Sequence, residues 1–158
     1  LQLVKLARKV NESAPRHAIK LIAKALRDSG RSLRGARVLI IGASYKPNVK
    51  EGRHSPTAQL YEALRKRGAR PEVYDPLFRP SELKELGYNA AGGLDDALER
   101  ADCVVIAVGH EEVRKLKPKI LRRLHRRQRA SVVDCSGMAI FGPWDSSDKV
   151  KCLAMGVG

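Results

Sequence analysis

Aromatic residues are scarce in this chain: four tyrosines, two phenylalanines and one tryptophan among 158 residues. That scarcity counts against recognition of single strands by base stacking, which needs aromatic platforms. Cysteine is sparser still. Cys103, Cys135 and Cys152 are odd in number, widely spaced and without metal-ligand pairing, so the residues point to no metal site and to reduced thiols in a cytoplasmic protein. No apolar run approaches the roughly 18 residues that span a membrane, and no secretory leader is evident. Acid is also short, with 17 Asp and Glu against 31 Lys and Arg, a net charge of +14. Charge of this size marks some nucleic-acid binders. Yet no helix-turn-helix, zinc-finger or RNA-stacking signature accompanies it, and nucleic acid is not the expected partner. The densest cluster, Arg122-Arg123-Leu124-His125-Arg126-Arg127-Gln128-Arg129, reads as a solvated helix end and the loop after it. Contact with nucleic acid, or with an acidic surface of an absent domain, is the alternative.

What is present is one domain's worth of chain, with the 43% hydrophobic and 30% charged residues of a globular protein. Its organising stretch runs from Arg37 to Pro56. Val38 to Ile41 is a short apolar run of the kind that makes a strand buried on both faces. Gly42 stops it and lets the backbone turn tightly or approach a ligand closely. A cationic loop with Lys46, Lys50 and Arg53 follows, and Ser55-Pro56 opens a helix as N-cap and first helical residue. Strand, basic loop and helix start present a cleft to an anion in open α/β sheets. A dinucleotide fingerprint, Gly-x-Gly-x-x-Gly, is missing, because Ala43-Ser44-Tyr45-Lys46 stands in its place.

This stretch resembles the C-terminal domain of the UDP-glucose/GDP-mannose dehydrogenase family, whose segment reads approximately Gly-x-x-Phe/Tyr-Lys-Pro-Asn-Thr-x-Asp-x-Arg-Glu-Ser-Pro. Gly42, Tyr45, Lys46, Pro47, Asn48, Arg53, Ser55 and Pro56 match in register. Glu51 and His54 depart from it, standing where the family has Asp and Glu. The resemblance implies an enzyme that uses NAD to oxidise the C6 alcohol of a nucleotide sugar to a carboxylate. This chain would supply only the nucleotide-sugar side of the cleft, and NAD and the nucleophilic cysteine would belong mainly to an absent N-terminal domain.

The same resemblance implies that Lys46 contacts the UDP-sugar and that Arg53 points toward NAD, although an ion pair between Arg53 and Glu51 is the structural alternative. Tyr45 and Asn48 would meet the uracil or ribose, or else stabilise the loop. His110, in Val-Gly-His-Glu-Glu-Val, resembles the branch acting on UDP-N-acetylhexosamines, with helix capping as its other reading. The expected substrate is therefore UDP-N-acetylmannosamine or UDP-N-acetylglucosamine, then UDP-glucose, and last GDP-mannose. Asp75 follows the second strand, where it can bind a ribose or make an Asp-Pro turn. Ser136 stands where family members often carry the arginine of Asp-x-Arg. No catalytic residue is expected in this chain.

Around the motif the chain reads as an α/β, Rossmann-like three-layer domain with a mostly parallel sheet in the order 2-1-3-4-5. Leu3, Val4, Leu6, Ala7 and Val10 have helical spacing, and Asn11 to Pro15 reads as a break before a second helix to about Asp28. Residues 1–30 are thus expected to be the end of an inter-domain linker helix and a following helix, and 31–158 the nucleotide-sugar-binding domain. A chain starting at Leu1 reads as a trimmed piece whose severed apolar stripe suits a homodimer of the full enzyme. Pro118 is expected to divide another helical region in two.

Overall fold

The computed structural model describes residues 2–156, with side chains described from residue 15 onward. Five parallel strands form one sheet in the order β2-β1-β3-β4-β5, as expected. They are β1 (Arg37–Ile41), β2 (Arg70–Tyr74), β3 (Cys103–Ile106), β4 (Ala130–Asp134) and β5 (Val150–Ala154). The helices are α1 (Gln2–Asp28), α2 (Pro56–Lys66), α3 (Pro80–Glu85), α4 (Leu94–Arg100) and α5 (Glu111–His125), with a 3₁₀ turn at Pro143–Asp145.

Alternation along β1 explains the layers. Val38 and Ile40 enter one core with Ile22 and Leu26 of α1 and Leu60 and Leu64 of α2. Leu39 and Ile41 enter the other with Leu98 of α4 and Ile120 and Leu124 of α5. Every one of these side chains is at most 5% exposed. From Val38 onward neither side of β1 meets water, so the strand reads as an unbroken apolar run rather than an alternating one.

Two helices are longer than expected, and both contain a proline. α1 continues through Pro15, and α5 continues through Pro118. Proline removes one backbone donor and crowds the preceding turn, at about 3 kcal/mol. Val113, Ile120 and Leu124 lie on one buried face of α5 on both sides of Pro118, and their burial, at about 1.5–3 kcal/mol each, outweighs that loss. The described half of α1 is held likewise by Ala18, Ile19, Ile22, Ala25 and Leu26. The stripe from Leu3 to Val10, and the side chain of Asn11, lie outside the residues whose side chains are described.

In α2, Thr57 is buried and Ala58 exposed, and Glu62 pairs with Arg65. Gly93 occupies the N-cap of α4, and Asp95 and Asp96 fall in its first turn, where carboxylates favour the helix dipole.

Candidate functional site

The carboxyl ends of β1 and β3 lie side by side, with β2 beyond one and β4 beyond the other. Chain direction in the sheet order reverses here, the position at which open α/β folds bind ligands. Gly42 closes the end of β1 at φ 115, and an added Cβ would stand 2.6 Å from the backbone nitrogen of Val108. The glycine therefore serves a close approach between strand ends. Ala43 and Ser44 are fully buried, and the Ala43 N–H donates to Asp75 Oδ2 at 2.7 Å. A dinucleotide pyrophosphate needs open glycines and free amides at this point, and these residues do not fit one.

The chain emerges from burial at Tyr45. Tyr45 is 44% exposed, and the Lys46 ammonium lies 5.4 Å from its ring centroid, within cation–π range. Lys46 is itself exposed, as are Asn48 and Arg53. The Tyr45 N–H donates to the Glu51 carbonyl at 3.0 Å and closes the loop on itself. Lys50 ties the loop to α3 by a 2.6 Å contact with Glu82 and lies over the Phe78 ring. Hydrogen bonds from Lys50 and from Arg79 hold the Glu82 carboxyl down to about 2.

Arg53 grips Glu51 with two parallel bonds, Nε to Oε1 and Nη2 to Oε2, both 3.0 Å. That fork holds the Glu51 carboxyl down to about 2 and raises the guanidinium above its usual range. The Arg53 side chain stays 78% exposed and faces solvent. The substitution of Glu for Asp at 51 thus retains an acidic partner for this arginine. His54 has φ 60 and is exposed.

The α2 start behaves as read. Ser55 Oγ accepts the Thr57 N–H and donates to the Ser44 carbonyl, both at 3.2 Å. Thr57, which the motif reading passed over, donates its hydroxyl to the Gly42 carbonyl at 2.7 Å.

Asn48 and His110 meet beneath the loop. The Asn48 N–H donates to His110 Nδ1, and Asn48 Oδ1 accepts the Glu111 N–H, both at 2.9 Å. Asn48, rather than His110, therefore supplies the side-chain cap of α5. His110 is 1% exposed, and its Nε2 lies 2.9 Å from Asp75 Oδ2. Both ring nitrogens have protein partners. Asp75 is equally buried, and its Oδ1 accepts the Leu77 N–H at 2.8 Å, so the turn reading holds, with both carboxylate oxygens engaged inside the protein. A polar residue directly after a buried strand was the available signal for Asp75. Its partnership with His110 carries no sequence signal.

The loop after β4 is closed by Asp134, whose Oδ1 accepts Ser136 Oγ–H at 2.6 Å and whose Oδ2 accepts the Phe141 N–H at 3.0 Å. Ser136 closes the loop and sends no cation outward. Burial pushes all three thiols up to about 12, which leaves them protonated at neutral pH and poor nucleophiles.

The arginine cluster is less free than its sequence implies. Arg123 contacts Asp95 and Glu99, and Arg127 reaches the Glu99 and Ala101 carbonyls and Asp102. These arginines fasten the end of α5 to α4. A further cavity of ≈ 520 Å³, on the α1 and α2 side of the carboxyl edge, is lined by His54, Pro56, Leu60, Ala107, Cys135 and Met155, among others. Among the described residues no cluster of acids, histidines and cysteines is suited to a metal, and no helix is long and apolar enough to cross a membrane.

A doubly wound parallel sheet in this order, with helices on both faces, defines the Rossmann-like α/β class of domain, here with a cationic loop over its switch point. Within that class, residues 39–139 match the UDP binding domain of the UDP-glucose/GDP-mannose dehydrogenase family, and the chain belongs to that family. It is 23% identical over 157 residues to the UDP-N-acetyl-D-mannosamine dehydrogenase of Methanococcus vannielii, a match covering 98% of this chain and 35% of that protein. It is 32% identical over 94 residues to the UDP-glucose 6-dehydrogenase of Rhizobium meliloti, covering 59% of this chain and 22% of the relative. The solved UDP-D-ManNAc dehydrogenase of Pyrococcus horikoshii has the same fold, with a TM-score of 0.77 at 23% identity over 99% of this chain and 34% of its own. The chain thus spans about a third of the length of such relatives.

Proposed function

We propose that this chain is the nucleotide-sugar wall of an NAD-dependent UDP-sugar 6-dehydrogenase, with Tyr45, Lys46 and Asn48 turned to the UDP-sugar and Arg53 toward NAD. Residues 31–158 supply that wall, and α1, within residues 1–30, is the end of the helix that joins it to the NAD-binding part. The observation that carries the reading is the Lys46 loop. It is cationic and exposed, and it is fixed over the switch point by bonds to α3 and to the start of α5. Such a preordered loop loses less freedom when an anion binds. N-acetylated sugars are preferred, because relatives named for UDP-N-acetyl-D-mannosamine match along almost the whole chain.

The chain's own residues bind and orient in this reading. NAD, when bound by the remainder of the enzyme, accepts hydride. The chain has no activated thiol and no fit for a dinucleotide, so it is expected to be inactive alone.

Titration of the 158-residue chain with UDP, followed by amide shifts, tests this. Shifts should concentrate at residues 45–54, and Lys46→Ala should weaken binding by roughly tenfold to a hundredfold, the value of about 1.5–3 kcal/mol for a charged contact. UDP shifts that avoid this loop would sink the site. Sustained NADH production by the chain alone, from NAD and UDP-N-acetylglucosamine, would sink the half-enzyme reading.

A further inference from the structure

A line of buried polar groups runs under the exposed loop and ends on the loop's backbone. The Asn48 N–H donates to His110 Nδ1 at 2.9 Å. A backbone amide only donates, so Nδ1 carries a lone pair and the ring's proton sits on Nε2. That proton points at Asp75 Oδ2, 2.9 Å away. Asp75 is itself immobilised by the Ala43 and Leu77 amides. The neighbours thus dictate one tautomer and one ring orientation, as a carboxylate behind a histidine does elsewhere.

What the ring holds is unusual backbone. Asn48 has φ 63, a left-handed conformation uncommon outside glycine and tolerated best by Asn and Asp. Its amide is fixed by His110 and its side chain by the Glu111 N–H. Asn48 stands two residues beyond Lys46, in the turn that directs Lys46 and Tyr45 outward.

We propose that His110, as the neutral Nε2–H imidazole oriented by Asp75, is a positioning residue: it fixes Asn48 and thereby holds Lys46 and Tyr45 ready for the UDP-sugar without touching it. This rests on the UDP-binding reading above. The two ring bonds can be separated chemically. Asn at 110 places an amide oxygen near the Nδ1 position but stops short of Asp75. Gln reaches the Nε2 position but offers Asn48 no acceptor.

The experiment combines nitrogen–proton spectra of the imidazoles, Asn48 amide exchange and UDP affinity in wild type, H110N, H110Q, K46A and K46A/H110Q. The spectra should show the Nε2–H tautomer at neutral pH. H110Q should lose Asn48 protection and about tenfold in UDP affinity, and H110N should recover most of both. Because part of the effect of His110 passes through Lys46, H110Q should cost less UDP affinity in the K46A background than in wild type, and fully additive losses would show that His110 does not act on Lys46. An Nδ1–H or doubly protonated ring overturns the proposal, and this measurement needs no variant to fold. So does an H110Q that keeps both Asn48 protection and wild-type affinity. Wild type that ignores UDP overturns the functional reading and the ligand clause with it, while tautomer and exchange order still judge the hold on the loop.

Discussion

Replacing Gly42 with alanine tests the close approach at the switch point. Two penalties act at this position. The residue has φ 115, and forcing a side chain into positive φ costs about 1 kcal/mol or more. The new Cβ would also stand 2.6 Å from the Val108 nitrogen and 2.7 Å from its Cβ. Neither backbone can retreat easily. The Gly42 N–H is bonded to the Tyr74 carbonyl at 2.8 Å, and the Ala107 N–H to the Ile41 carbonyl at 2.8 Å. Overpacking of this kind adds about 1–3 kcal/mol. The sum is about 3 kcal/mol, or near 6–12 °C in Tm for a domain of this size. Gly35→Ala is the control, because Gly35 has φ 80 but nothing within 4 Å of its added Cβ, and it should cost only about 1 kcal/mol. Thermal and urea unfolding of both variants measures the difference. Equal losses, within about 0.5 kcal/mol, would refute the argument that Gly42 is required by Val108.

Two further outcomes concern protonation. Glu51 and Glu82 have carboxyls lowered from 4.5 to about 2 by Arg53 and Lys50 hydrogen bonds respectively. Folded-state values below unfolded ones mean that their stabilisation is fully present above about pH 4.5 and is lost as pH falls through about 2. Carboxyl NMR titration should place both midpoints near 2, and midpoints near 4.5 would show that the loop ion pairs do not persist in solution. Cys103 and Cys152, both fully buried and raised to about 12, should react slowly with a disulfide reagent at neutral pH in native buffer and fast in guanidinium. Rapid native labelling of either would contradict the burial.

The centre of the sheet was legible because β1, β3 and β4 are short, mostly apolar runs buried on both faces, whereas the edge strands β2 and β5 alternate and bury one side only. The two proline-containing helices were not legible in full. Local chemistry at Pro15 and Pro118 says stop, whereas burial on both sides of Pro118, as at Val113 and Ile120, says continue, and burial is visible only in three dimensions. The candidate site divides the same way. Lys46, Asn48 and Arg53 share one contiguous segment. Their supports, Glu82 and Asp75, lie elsewhere in sequence, and the Asp75–His110 pair spans 35 positions. The Gly42 requirement was readable, but its cause, the Val108 backbone, was not.

The anchoring of the loop also bears on how kindred chains are told apart. The letters of the segment alone identify a cationic loop, and many unrelated chains can carry Lys-Pro-Asn by chance. Loop order here comes from an aspartate directly after the second strand and a histidine opening the helix after the third. A pattern that couples Lys46-Pro47-Asn48 to Asp75 and His110, at their places in the strand order, selects for a loop that is held as well as charged. A chain with the motif but neither anchor would need another means of keeping its asparagine left-handed, and by that criterion would belong to a different mechanical design built on the same fold.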